Sequence, residues 1–367
     1  MSRIVQVANF VTPTSGGLRT TLAHLAQGYA AQGHEVVQLL PGDTHAVVET
    51  PWGRRVSLES TLVPGTGYRV MLHALRVQEV LAGLAPDVLE VHDRTTLRGL
   101  GAWASRRGVP SVVVSHERLD CWLQQWLSRR LPLRSMADRS NRSLAAGFDR
   151  VLCTTEWAAQ EFTRLGVGNL RIVPLGVDLQ RFHPRLYGGL RDDIVLVMAS
   201  RLSREKRPDL AVETIRELRR RGLNARLVVA GDGAMRDQLE KQSEGLPVQW
   251  RGFVPDREEL AALMADADVV LAPGPVETFG LAALEALACG TPVVVNRHSA
   301  LPEVVGSAGR AAASSGFVMA DAVMDLLTVD EPVRRHAARR RAEQFSWDAT
   351  VRGFLDLHQL AATELAS

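Results

Sequence analysis

Two successive α/β halves, each a parallel sheet flanked by helices, are what this sequence predicts. Short apolar, β-rich runs alternate with helix-spaced segments. The alternation restarts after a polar stretch through Phe182, Pro184, Gly188 and Gly189. At 367 residues the chain is long enough for two cores.

The first half reads as strand RIVQVA, a helix over 18–32, strand EVVQLL, a helix over about 69–84, strand DVLEV, a helix over 96–107 and strand PSVVVS, followed by LRIVPLG at 170–176. The second half opens with DIVLVMAS, a helix over 208–221, ARLVVAG, a helix near 234–243, VQWRGFV, a helix over 257–266 and DVVLAPG. An apolar helix then begins at Gly280. The closing segment SWDATVRGFLDLHQLAATEL has Ser346 in a capping position and helical apolar spacing. Placing the boundary in the polar stretch gives domains 1–182 and 183–345.

Composition narrows the function class. The net charge is +2, and arginines cluster at 129–130, 219–221 and 339–341. No helix-turn-helix or aromatic-basic RNA signature accompanies them, so they read as solvated helix faces and no nucleic-acid partner is expected. Cys121, Cys153 and Cys289 show no Cys-x-x-Cys spacing, which argues against a disulfide framework or a structural zinc and fits a reducing compartment. MSRIVQVANF is interrupted too soon by Pro13 and Gly16 to read as a secretory signal. No run approaches the ~20 apolar residues of a spanning helix. The expected location is the cytoplasm, with peripheral contact on the cytoplasmic face of a membrane as an option.

The stretch APGPVETFGLAALEALACGTPVVV, residues 272–295, carries the strongest chemical signal. Glu277 lies just before an apolar helix, and Glu285 is the only charge within it. A buried carboxylate is costly unless hydrogen-bonded, so either protein donors or a hydroxyl-rich ligand must satisfy Glu285. The backbone N–H groups near Thr278, Phe279, Gly280 and Leu281 form a helix start of the kind that binds phosphate. Acceptors for hydroxyls beside donors for a diphosphate are what a nucleoside-diphosphate sugar requires.

Other residues sit where such a ligand would be handled. Gly16 and Gly17 follow the first strand and open a helix, where a backbone can approach a ligand closely. A dinucleotide fold would want Gly-x-Gly-x-x-Gly there and an acid ending the next strand; EVVQLL ends instead in Pro41-Gly42. Arg201 and Lys206 follow a strand end, where they could neutralise a leaving phosphate, while Arg204 and Arg207 read as a solvated basic loop. His116 follows the strand in VVVSHERLD. Asp266-Ala267-Asp268 invites a metal, but its place at a helix-to-strand junction argues for a capped turn, and no metal site is assigned. Along 122–131, Trp122, Leu123, Trp126, Leu127 and Leu131 share a helical face, with Arg129 and Arg130 close by. Interfacial membrane binding and packing on the chain's own lobe both fit that pattern.

The Glu-x7-Glu pattern with its Phe-Gly and the following Gly-Thr-Pro-Val-Val resembles the signature of the retaining nucleotide-sugar glycosyltransferases of GT-B fold. The Gly-Gly loop, His116, the Arg201/Lys206 pair, the glutamate pair and the final helix occur in that family's order, covering nearly the whole chain. Within the family, QVANF…SGGLRTTL, DRTTLRGLG, SHERLD and CTTEWA look like the GDP-mannose-dependent α-mannosyltransferases of the phosphatidylinositol mannosyltransferase type. Thr278 stands where many members carry Pro, and Ser200 where many carry Gly.

The resemblance implies two Rossmann-like lobes with a cleft between them and a last helix, 346–367, crossing back to the first. It implies a GDP-mannose or other nucleotide-sugar donor, a lipid or glycan acceptor, and no cofactor. It assigns Glu277 to donor-sugar hydroxyls, Glu285 to ribose hydroxyls, Arg201 and Lys206 to the diphosphate, and His116 to the sugar near the reaction centre. Gly16 and Gly17 would close over the diphosphate, and the backbone of Gly252, Phe253 and Val254 would face the nucleobase. No carboxylate pair flanking an anomeric carbon is identifiable, which favours same-face attack assisted by the leaving phosphate. Alternatives are a different nucleotide sugar with a soluble acceptor, a nucleotide-sugar epimerase of the same fold, and a non-catalytic sugar-binding protein.

Overall fold

The computed structural model describes residues 1–12, 16–64, 67–127, 131–184 and 192–366. They divide into one unit of residues 1–175 with 347–367 and a second of residues 176–346. The division falls earlier than the polar stretch suggests, because residues 176–182 are held by the second unit. Val177 bridges Ser346, the Arg339 guanidinium donates to the Phe182 carbonyl at 2.8 Å, and the Phe182 ring is buried beneath Arg257.

The first unit contains β1 (Arg3–Val7), β2 (Glu35–Gly42), β3 (Ala46–Thr50), β4 (Gly53–Glu59), β5 (Thr61–Leu62), β6 (Arg69–Val70), β7 (Val88–Val91), β8 (Ser111–Val114), β9 (Arg150–Cys153) and β10 (Leu170–Ile172). Eight of these form one sheet in the order β10-β9-β8-β7-β1-β2-β4-β3, with β5 and β6 paired separately. Pairing is parallel throughout the large sheet except at the β3–β4 hairpin. Successive side chains fall on opposite faces, so Val5, Val37, Leu89 and Val113 join one core while Ile4, Val36, Val88 and Val112 join the other. Burial on both faces is why these strands read as continuous apolar runs.

The terminal helix Trp347–Ala366 belongs to this first unit. Val351, Phe354 and Leu357 are buried with Leu25, Ala26 and Tyr29 of the helix Gly17–Ala31. Burying three such side chains contributes roughly 5–9 kcal/mol as an upper bound. Gly28 permits the approach, since a Cβ there would meet Val351 Cγ2 at 2.3 Å.

The second unit is a six-stranded parallel sheet of β11 (Ile194–Ala199), β12 (Ala225–Ala230), β13 (Val248–Gly252), β14 (Val269–Ala272), β15 (Val293–Asn296) and β16 (Gly309–Ala312). Its order, β13-β12-β11-β14-β15-β16, is the 3-2-1-4-5-6 arrangement of the doubly wound Rossmann fold. Asp268, of the Asp-x-Asp triplet, accepts the Val195 N–H at 2.8 Å and thereby ties β14 to β11.

Some expected elements shift. The helix expected over about 69–84 begins at Ala74, after β6, and that over 96–107 contracts to Leu100–Ser105. The amphipathic helix expected over 122–131 is Leu119–Trp126. Leu127 is extended, with φ −114° and ψ 154°, and a new helix, Leu133–Gly147, starts just after Pro132. Leu127 and Leu131 therefore do not extend the Trp122 face as one helix.

Candidate active site

In the second unit the strand order reverses between β11 and β14, and ligands of such sheets bind outside the strand carboxyl ends at that point. β11 leads into the short 3-10 turn Arg204–Lys206, and β14 into the loop that ends at Gly280. The loop is fixed from the next strand end: Asn296 Nδ2 donates to the Pro273 carbonyl at 2.8 Å, and the Ala300 N–H to the Glu277 carbonyl at 2.9 Å. Lys206 Nζ then donates to Glu277 Oε1, joining the two strand ends. Arg201 is half-exposed, 3.7 Å from Glu205, whose carboxylate accepts from Ser203 Oγ at 2.6 Å.

Gly280 precedes the helix Leu281–Ala288 with a φ of +76°, a conformation that suits glycine. A Cβ there would lie 2.2 Å from Leu301 Cδ2. Gly280, at the N-cap, has no side chain with which to cap this helix, and first-turn N–H groups of a helix have the donor character that attracts anions. Thr278 lies in the approach to the helix, whereas the Phe279 ring is buried edge-on to Phe345, with centroids 6.0 Å apart. Only backbone is available to a ligand at Phe279. Gly252 ends β13, and its carbonyl accepts the Gly231 N–H at 2.7 Å. The adjoining Phe253 side chain is exposed and Val254 half-buried.

Glu285 is buried, and its partner is Arg257, which donates to Oε1. Burial raises the pKa of Glu285 above the ordinary carboxylate value, with Arg257 opposing the rise. Of the two ways to satisfy this carboxylate, a protein donor, Arg257, is in place. Arg257 was not legible as that donor in the sequence. It sits in the first turn of a separate helix, Arg257–Ala265.

In the first unit the strand order reverses between β1 and β7. Gly16 caps and Gly17 opens the helix that follows β1; Thr14 and Ser15 lie outside the described residues. His116 follows β8 and is half-buried. Its Nε2 lies 2.8 Å from Nδ1 of His92, at the end of β7. His92 Nε2 is 2.5 Å from Glu90 Oε1. Burial, with the neighbouring His92, holds the His116 imidazole well below its ordinary pKa, and Glu90 only partly offsets this.

Glu90 is fully buried, and its hydrogen-bond partners oppose the effect of burial on its pKa. Burial alone would raise its pKa, but hydrogen bonds from His358 and His92 hold it well below the carboxylate range. Tyr29 Oη donates at 2.7 Å, Gln6 Nε2 at 2.8 Å and His358 Nε2 at 3.0 Å. The sequence reading missed this group. Its signal was one polar residue within each of the apolar runs IVQVA, VVQLL and VLEV.

Trp122 is exposed, as are Leu127, Leu131 and Met136. The Trp126 side chain, Arg129 and Arg130 lie outside the described residues. Among the described residues no helix is long and apolar enough to cross a membrane.

Comparisons with known proteins agree with this architecture. Residues 187–343 match the family model "Glycosyl transferases group 1", and residues 15–181 match "Glycosyltransferase Family 4". A GDP-mannose-dependent alpha-(1-6)-phosphatidylinositol dimannoside mannosyltransferase of Mycobacterium tuberculosis is 46% identical, over 96% of this chain and 95% of that protein. A D-inositol 3-phosphate glycosyltransferase of Saccharomonospora viridis is 31% identical, over 74% and 70%. Among solved structures, sucrose-phosphate synthase from Thermosynechococcus elongatus superposes with a TM-score of 0.81 at 19% identity, covering 100% of both chains. A trehalose 6-phosphate synthase from Burkholderia multivorans gives 0.76 at 17%, again over 100% of both chains. The chain belongs to the group 1 glycosyl transferases and is a glycosyltransferase of GT-B fold.

Proposed function

We propose that this enzyme transfers an α-mannosyl group from GDP-mannose to a phosphatidylinositol mannoside, with retention at the anomeric carbon and without a metal ion. The observation that carries the substrate choice is the 46% identity, over nearly the full length of both chains, to the mycobacterial mannosyltransferase. The site chemistry suits such a donor. Lys206 and Arg201 supply cations for the diphosphate beside the helix start at Leu281, and Gly16 and Gly17 offer backbone to the same group. Glu277 accepts from sugar hydroxyls and Glu285 from ribose hydroxyls, while the edge at Gly252, Phe253 and Val254 takes the guanine. His116 contacts the sugar.

In the reaction, an acceptor hydroxyl oxygen bonds to the mannosyl C1 on the face that the β-phosphate leaves. The C1–O bond to phosphate breaks, its electron pair departs with GDP, and the hydroxyl proton passes to the departing phosphate oxygen. Lys206 and Arg201 stabilise the charge growing on that phosphate. Contact with an anionic membrane surface through the exposed Trp122 region brings the enzyme to its acceptor.

A panel of nucleotide sugars offered with lipid-extract acceptors, with products identified by mass spectrometry, tests the reading. The expected result is hexose addition to a phosphatidylinositol mannoside with GDP-mannose alone. Transfer only to a soluble inositol phosphate or sugar would replace the lipid acceptor. Epimer formation without an acceptor would replace the reaction.

A further inference from the structure

Gln38, Gln6 and Glu90 sit side by side on β2, β1 and β7, Gln6 being in register with both of the others. All three are buried, and their hydrogen bonds run in one direction. Gln38 Nε2 donates to Gln6 Oε1 at 2.9 Å and to the Leu22 carbonyl at 3.0 Å. That leaves the Gln6 amide nitrogen to donate to Glu90 Oε1. Tyr29 and His358 reach Glu90 Oε2, so the carboxylate has partners on both oxygens and acts as acceptor to each. His92 Nε2 must then carry a hydrogen to donate to Oε1. A neutral imidazole with Nε2–H has its lone pair on Nδ1. The next bond, from His92 Nδ1 to His116 Nε2, therefore takes its hydrogen from His116. The two rings are within 19° of parallel, which suits a bond lying near both ring planes.

We propose that Glu90 and His92 are positioning residues that hold His116 as its Nε2–H tautomer, so that His116 Nδ1 is an acceptor for a hydroxyl of the donor sugar. The inference rests on the reading above that His116 contacts that sugar. Neither Glu90 nor His92 touches substrate in this scheme. They act through His116, in the way that outer hydrogen bonds orient a ligating histidine. The polar row explains why a carboxylate sits in the centre of an otherwise apolar sheet: it is the fixed end from which the direction of every later bond follows.

Long-range 1H–15N spectra of the full chain labelled in histidine, with GDP bound, read each ring's tautomer. Wild type should show His116 and His92 both as neutral Nε2–H forms. His92→Phe should release His116 to a mixture of tautomers and lower kcat by about ten- to a hundredfold, with KM for GDP-mannose changed less than about twofold. A wild-type His116 protonated at Nδ1, or a His92 carrying both hydrogens, overturns the proposal whether or not the variants fold. Wild-type kcat in His92→Phe, with kcat lost in His116→Ala, overturns the positioning role alone. Wild-type kcat in His116→Ala overturns the sugar contact and the inference with it.

Discussion

Lys206 donates its ammonium hydrogen bond to the Glu277 carboxylate, joining the loops that follow β11 and β14 at the strand-order reversal of the second unit. Each group is the other's counter-ion. In the proposed function a diphosphate would take Lys206 from this pair, leaving Glu277 to accept from sugar hydroxyls. Lys206→Ala should therefore lower turnover at saturating GDP-mannose by about a hundredfold or more. Steady-state kinetics check this, and near-normal turnover would remove Lys206 from the transition state.

Glu285 should trade stability for binding. Its pKa is raised by burial, so folding favours its protonated form. The stability this gives is present below the ordinary carboxylate value and is lost as pH rises through the raised one. At neutral pH, Glu285→Gln should melt no lower than wild type. The same change should weaken GDP-mannose binding by roughly 1.5–3 kcal/mol, the scale of a hydrogen bond to a charged group. Calorimetry and thermal melts together decide this; unchanged donor affinity in the folded variant would contradict the ribose contact.

His116 carries a pH signature of the opposite sign. Its imidazole pKa is lowered by burial and by His92, so the neutral ring is favoured in the fold. The stability this gives is present above the ordinary imidazole value, about 6.5, and is lost as pH falls through the window below it. Glu90, whose pKa is also lowered, adds a loss at more acidic pH. Melting temperature should decline from about pH 7 to about pH 5, and the decline should be shallower in His116→Asn. An equal slope in the two proteins would show that folding leaves the His116 pKa unshifted.

Metal removal should leave transfer intact. Arg201, Lys206 and the helix start at Leu281 are cationic or hydrogen-bond donors, and among the described residues no group of three or more histidine, cysteine or carboxylate side chains is placed to hold a metal ion. Activity should persist in excess chelator. Loss of activity restored by magnesium or manganese would contradict the charge assignment.

The parallel α/β build of the second unit and the place of Arg201, Lys206 and Glu277 after strand ends were legible from the alternation, whereas the Rossmann form came from the family resemblance. The Glu285–Arg257 pair was not legible, since spacing within the apolar helix says nothing of what a neighbouring helix presents. The Gln38–Gln6–Glu90 row was hidden for a related reason. Each residue looks like one polar lapse in an apolar strand, and only the register shows that the three are neighbours. The helix at Leu119–Trp126 ended before its periodicity did, because the chain turns extended at Leu127 ahead of Pro132.

The exposed apolar side chains Trp122, Leu127, Leu131 and Met136 make membrane contact testable. Wild type should co-sediment with anionic vesicles more than with neutral ones, and salt should weaken the attraction. Trp122→Ala should reduce the bound fraction in a folded protein. Equal binding by the variant would assign these side chains to another role.

Retaining transfer of mannose from GDP-mannose is tested most directly by the anomeric configuration of the first product, read by proton NMR before any further turnover. With GDP-mannose and a phosphatidylinositol mannoside, the new linkage should carry the α-configuration of the donor. A β-linked product would contradict same-face attack. The absence of any mannosyl product under those conditions would contradict the donor and acceptor assignment.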